Sequence, residues 1–228
     1  MRWLEEKRWR HDIRVDKKLE GFELYKHIIW DFDGTLFDTY PVMASIFKKM
    51  LEEEEIEESL DEILKHMKVS MSHALLHYEK KYHINNIFIE KYQKQRKDRE
   101  ISLCKPYKGI EEICKYIHTS GKKNYLYTHR GESSIIFLKN YGLYDYFSDF
   151  ITSEHGFERK PSPNAINHII DKHNIIHNEA IMIGDRDLDI LSARNAGIHG
   201  CLFTDGHEKS NITDFTINNL EKLYSIIS

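Results

Sequence analysis

The 228-residue chain reads as an α/β protein, a doubly wound parallel sheet carrying an inserted α-helical unit. Three observations predict it. A short apolar run, Ile28 to Trp30, ends in Asp31-Phe32-Asp33-Gly34, the pattern of a buried strand that breaks into a turn. From Pro106 onward strand-like and helix-like segments alternate, which builds parallel strands joined by crossover helices. Between these regions, residues 39–104 carry helical patterns with no strand pattern among them.

Residues 1–24 precede the first strand as an extension without an assigned role. Trp3, Trp9 and Ile13 stand at near-helical spacing there, which suits an amphipathic arm or a loosely packed extension. Residues 25–38 and 105–228 form the expected α/β core, and 39–104 the helical insert. In the insert, Pro41 suits a first helical turn, and Val42, Ile46, Met50 and Leu51 supply an apolar stripe. Ser59 and Glu62 have the spacing of a capping box for a second helix. A third pattern runs from Ser70 through Tyr82, and a fourth from Asn86 into the charged segment ending at Glu100. In the core, helices are expected over 109–119, 132–141, 163–173, 188–196 and 217–227. Strands are expected over 123–128, 149–152, 180–183 and 201–203.

Composition narrows the function classes. The chain is 40% hydrophobic and 31% charged, as a globular protein is, and its net charge of −4 leaves no basic excess for nucleic acid. No run reaches the roughly 18 apolar residues of a membrane span. Cys104, Cys114 and Cys201 are scattered without metal-type spacing, and residues 1–18 lack an apolar signal core, so a cytoplasmic setting is expected.

The chemistry gathers at strand ends. Side chains two apart on a strand share a face, so Asp31 and Asp33 are expected together at a carboxyl end, where ligands bind in such sheets. Two ionised carboxylates that close need a cation or a shared proton. Tyr125-Leu126-Tyr127-Thr128 closes a second strand with a hydroxyl. Glu158-Arg159-Lys160-Pro161 places a lysine before a helix, and Ile181-Met182-Ile183-Gly184-Asp185 closes a third strand with a carboxylate, followed by Asp189. Singly these read as a helix cap, a solvated lysine and a capping aspartate. A parallel sheet brings them to one edge.

The stretch Asp31-Phe32-Asp33-Gly34-Thr35-Leu36-Phe37-Asp38 resembles the first signature of the haloacid dehalogenase-like hydrolases, which are mostly phosphatases. Thr128, Lys160 and Gly184-Asp185…Asp189 resemble the remaining three in the same order, so the resemblance covers residues 27 to about 205 and leaves the N-terminal extension unmatched. It implies a Rossmann-like core, with the helical insert as the cap of the phosphoglycolate phosphatase-like branch and Asp38-Thr39 at a hinge. It implies Asp31 as a nucleophile forming an aspartyl-phosphate, and Asp33 as general acid and then base. Asp31, the backbone carbonyl of Asp33 and Asp185 would bind Mg²⁺, with Asp189 behind them or in place of one. Lys160 and Thr128 would hold the phosphoryl oxygens, with Gly34, His129 and Arg130 beside the substrate. An aspartate at position 33 favours phosphate esters over the dehalogenase and phosphonoacetaldehyde hydrolase branches, which lack it.

The expected partner is a small phosphorylated metabolite, phosphoglycolate or a sugar phosphate, with no nucleic acid and no membrane, in a monomer or homodimer. The alternatives are a phosphomutase of the β-phosphoglucomutase kind and, further off, a phospho-receiver or a binding protein without catalysis. His73 and His77, one helical turn apart, read as surface or packing histidines. Glu52 to Glu58 reads as a solvated helix face, and Tyr78, Tyr82 and Tyr92 as packing residues.

Overall fold

The computed structural model describes residues 25–204 and 211–228; Trp3, Trp9 and Ile13 lie outside the described residues. Six strands form one sheet in the order β3-β2-β1-β4-β5-β6, every pairing parallel. They are β1 (His27–Trp30), β2 (Lys123–Tyr127), β3 (Phe147–Ile151), β4 (Ala180–Gly184), β5 (His199–Phe203) and β6 (Phe215–Ile217). The strand order reverses at β1, which pairs with β2 on one side and β4 on the other. The crevice for a ligand opens at such a switch point.

The sheet is covered on both faces, which is why its inner strands are apolar throughout rather than alternating. One face packs Ile28, Trp30, Leu126, Ile181 and Ile183 against α5 (Ile110–Thr119), α6 (Ser133–Asn140) and α9 (Glu221–Ile227). The other packs Ile29, Tyr125, Tyr127 and Met182 against α7 (Asn164–His173) and α8 (Asp187–Asn195). Trp30 is fully buried, and its indole N–H donates to Asn124 Oδ1 at 2.9 Å. The three cysteines are buried and unpaired.

Four helices fill the insert: α1 (Tyr40–Glu53), α2 (Leu60–Val69), α3 (Met71–Tyr82) and α4 (Asn86–Leu103). They have a core of their own, in which the ring of Phe47 meets Tyr78, Phe88 and Tyr92 at 5.1–5.5 Å. Tyr78 and Tyr92 are buried there. The chain enters and leaves the insert side by side, since Asp38 N–H donates to Lys105 O at 3.0 Å and Phe37 bridges Pro106. Among the described residues, no helix is long and apolar enough to cross a membrane.

Four local readings change. β6 replaces the first residue of the expected closing helix: Phe215-Thr216-Ile217 is β-branched or aromatic throughout and pairs with β5, so the helix starts at Glu221. In α1 the buried stripe includes Met43 and Phe47, with Val42 at its margin. At α2 only half of the capping box forms: Ser59 Oγ accepts from Glu62 N–H, while the Glu62 carboxylate turns to Lys65. Glu52 to Glu58 is the end of α1 and the loop after it, from which Glu58 reaches Lys81 at 2.5 Å. His73 and His77 lie on α3 beside His66, whose ring stacks on His77 at 3.7 Å and whose Nδ1 is 3.1 Å from His73 Nε2.

Candidate active site

The carboxyl ends of β1, β2 and β4 face the insert across a cavity of about 480 Å³. Asp31 follows β1 directly, and its N–H continues the ladder to Ile183 O of β4 at 2.9 Å. Thr128 follows β2, with its N–H on Ile151 O at 2.9 Å. Asp185 follows β4, and Lys160 arrives from the loop between β3 and α7. The sheet register thus gathers residues more than a hundred positions apart, because strand ends are the one place where side chains escape the covering helices.

Lys160 is the hub of the floor. Its buried ammonium lies 2.5 Å from Asp31 Oδ1, 2.8 Å from Asp189 Oδ1 and 3.0 Å from Tyr127 O, over the Tyr127 ring. Its backbone N–H donates to His129 Nε2 at 2.9 Å. Burial, then the charges of Lys160 and Arg159, push His129 down to about 3, so the ring is neutral at physiological pH.

Three carboxylates, Asp31, Asp185 and Asp189, each place an oxygen within 4.8 Å of the others. Burial pushes Asp31 up to about 6 against the pull of Lys160, with Asp189 adding to the rise. Burial and the neighbouring Asp189 and Asp31 push Asp185 well above the usual carboxylate range. Asp189 goes the other way: Lys160 and Arg186 outweigh its burial and hold it low. Asp31 Oδ2 and Asp185 Oδ1 are buried without a hydrogen-bond partner. Orphaned, oxygen-only and acidic, this cluster suits a hard divalent cation. Asp189, expected behind the ligands or in place of one, is part of this acidic cluster.

Asp33 does not share this cluster. β1 ends at Trp30 and the chain bends, so Asp33 turns to a separate cation: Arg130 Nη2 donates to Asp33 Oδ1 at 2.6 Å, and Thr39 Oγ1 to the same oxygen at 2.6 Å. Burial would raise the Asp33 carboxyl, but the charge and hydrogen bonds of Arg130 outweigh it and hold the group low. The two carboxylates of the Asp-x-Asp pair are thus each compensated by a different cation, rather than by sharing one. Arg130 Nη1 reaches Glu100 Oε2 of α4 at 2.5 Å, and Arg96 Nε lies 3.3 Å from Glu100 Oε1.

His129 and Arg130 both line the cavity, yet the ring nitrogen and guanidinium are taken by Lys160, Asp33 and Glu100. Gly34 has another use. Its N–H is spent on Phe37 O, its φ is +76°, and a Cβ there would collide with the Asp185 carboxylate and the Tyr40 ring. Thr128 Oγ1 accepts from Arg130 N–H at 3.0 Å, which leaves its hydroxyl proton for the cavity it lines.

Sequence reasoning missed Glu100, Arg96 and Arg186. Arg186 was within reach, being wedged between Asp185 and Asp187 in the fourth motif. Glu100 and Arg96 had a signal too: steps of four along α4 from the buried Phe88 and Tyr92 land on Arg96 and then Glu100.

Known proteins resemble this chain. A phosphoglycolate phosphatase from Vibrio vulnificus is 31% identical over 127 residues, 53% of this chain and 56% of the relative, so the match spans little more than half of that protein. A phosphoglycolate phosphatase from Aquifex aeolicus is 27% identical over 88% of this chain and 95% of its own. The crystal structure of a predicted phosphoglycolate phosphatase from Haemophilus somnus superposes with a TM-score of 0.78 at 18% identity, over 91% of this chain and all of that one, a likeness of fold. The family model for haloacid dehalogenase-like hydrolases matches residues 28–203, which take in all four strand-end motifs and the helical insert. The chain belongs to the haloacid dehalogenase-like hydrolase family.

Proposed function

We propose that the protein is a Mg²⁺-dependent phosphatase that hydrolyses a small phosphate monoester, phosphoglycolate-like or sugar-phosphate-like, through an aspartyl-phosphate on Asp31. The observation that carries this reading is the meeting of Asp31, Thr128 and Lys160 on the floor of one cavity, with Asp185 clustered against Asp31. The names of the Vibrio and Aquifex relatives point to the same reaction class.

A phosphate monoester dianion repels an attacking carboxylate, so the protein must supply compensating charge and hold the groups in line. Asp31 attacks phosphorus; its P–O bond forms as the bond to the leaving alcohol breaks. Lys160, fixed by Tyr127 O and the His129 ring, orients the Asp31 carboxylate and stabilises the charge on the phosphoryl oxygens. The Thr128 hydroxyl donates to one of those oxygens. Asp33, protonated against the pull of Arg130, gives its proton to the departing alkoxide, then takes one from the water that hydrolyses the aspartyl-phosphate. Arg130 and Thr39 aim the Asp33 carboxyl, which makes Arg130 a positioning residue. Asp31, Asp185 and Asp189 would hold Mg²⁺, which supplies charge neutralisation for the phosphoryl group when bound. The helical insert screens the site from bulk water, so that Asp33 directs the one water that hydrolyses the intermediate. Cytoplasmic residence follows from a metabolite substrate and three unpaired cysteines.

Phosphate release from a panel of phosphorylated metabolites, with Mg²⁺ or EDTA and beside Asp31→Asn, tests the reading. Mg²⁺-dependent release that the variant loses, by at least roughly 10³-fold, is expected. Release that persists in Asp31→Asn or in EDTA would overturn it.

A further inference from the structure

Most cations around the cavity are engaged by a carboxylate. Lys160 holds Asp31 and Asp189, Arg130 holds Asp33 and Glu100, and Arg186 lies 3.7 Å from Asp185. Arg96 is the cation that the insert contributes to the lining, and its ion pair is longer than those of Lys160 and Arg130. Among the described residues, its oxygen partner is Glu100 Oε1, at 3.3 Å from Nε, and its Nη1 approaches only Met43 Sδ at 3.8 Å. Glu100 is already committed to Arg130 at 2.5 Å, so it half-neutralises Arg96 at most. Arg96 lines the cavity with its side chain 19% exposed, near enough to Asp33 to help hold that carboxyl low. The insert wall around it is Met67, Met71 and Leu75, with Ser70, Ser72 and Gln93 as polar neighbours and no carboxylate from the insert.

That wall carries one cation and no anion of its own. It offers a guanidinium in a low-dielectric setting, where a planar anionic oxygen group is the matching partner. Asp33 is where the leaving alcohol must sit, and Arg96 stands beyond it toward the insert.

We propose that Arg96 is a specificity-determining residue that binds a second anionic group, a carboxylate or a phosphate, at the leaving-alcohol end of the substrate. This rests on the phosphatase reading above. Glu100 restrains the Nε edge of Arg96 and leaves the two terminal nitrogens for the substrate. The second anion thereby anchors the ester on the wall of the insert, while the scissile phosphate rests on the floor.

Matched esters test it with the Mg²⁺-loaded protein. Phosphoglycolate and 2-hydroxyethyl phosphate differ only in carboxylate against hydroxymethyl; propane-1,3-diol bisphosphate and propyl phosphate test a phosphate as the second anion. The expected result is a preference in kcat/KM for at least one anionic ester over its neutral match. Arg96→Gln should erase that preference, losing roughly 10- to 100-fold on the anionic ester, chiefly in KM, with the neutral ester little changed. Arg96→Lys should restore part of it. A wild type without preference, or an Arg96→Gln loss equal on both esters of a pair, would overturn the proposal. Failure to hydrolyse any ester, p-nitrophenyl phosphate included, would instead overturn the phosphatase reading and this proposal with it.

Discussion

Two buried charge networks meet at the cavity, and they are built on different sums. On the floor, Asp31, Asp185 and Asp189 face Lys160 and Arg186, so carboxylates outnumber cations, and Asp31 Oδ2 and Asp185 Oδ1 lack hydrogen bonds. Between core and insert, Asp33 and Glu100 face Arg130 and Arg96, two against two. Burying an uncompensated charge is costly, so an acid excess at the floor persists only where a cation or a proton completes it. The balanced network needs no such partner and ties α4 to the loop after β1. The first network gathers an acidic cluster suited to a cation, and the second links the insert to the loop after β1.

Lys160→Met separates the two most sharply. It should lower kcat by roughly 10²- to 10³-fold, since it removes the group that stabilises the phosphoryl oxygens. In EDTA it should also cost about 3–5 kcal/mol of stability, because Asp31 and Asp189 lose their shared cation. Divalent-metal affinity should rise in this variant, as the acid excess grows; calorimetric titration with Mg²⁺ reads this. A fall in affinity would break the assignment of the floor as the cation site.

Glu100→Gln should act on the other network alone. Arg130 keeps Asp33 but loses a charged partner, which should cost about 1.5–3 kcal/mol in urea unfolding. Mg²⁺ affinity should stay unchanged. If it shifts as far as in Lys160→Met, the two networks are one.

The smallest effect is in pH. The folded chain holds Asp31 at about 6, above the unfolded carboxylate, and raises Asp185 as well. Protons therefore bind the metal-free folded state more tightly, and its stability should rise as pH falls from about 6 toward about 4, the unfolded carboxylate value. Asp33 and Asp189 are depressed, so their contribution is present above that value and is lost on further acidification. With saturating Mg²⁺ the rise between pH 6 and 4 should reverse, since the ion competes with the protons that produce it.

Asp31, Thr128 and Asp185 were legible in the sequence because each ends an apolar run, and a parallel sheet leaves no freedom about where such ends meet. Membership of Asp189 in the acidic cluster was less so, since it depends on α8 starting at Asp187 and turning one helical turn of side chains inward. The partner of Asp33 could not be read, because i, i+2 geometry holds only while the strand continues, and β1 stops at Trp30. Glu100 sits in a segment charged on all sides; its burial is decided by where the end of α4 docks on the core, a contact 30 residues away in the chain. Gly34 carried the right signal for a different reason, since Asp185 and Tyr40 occupy the space a side chain would need. Phe215 to Ile217 was too short a run to outweigh the helical pattern after it.

The central claim is that Asp31 carries the phosphoryl group. Acid-quenched single turnover with a radiolabelled phosphate ester and Mg²⁺, followed by peptide mapping, tests it most directly. The account predicts transient label on the peptide that contains Asp31, absent in Asp31→Asn and from the EDTA control. Phosphate released at full rate with no label on that peptide at any quench time would contradict it.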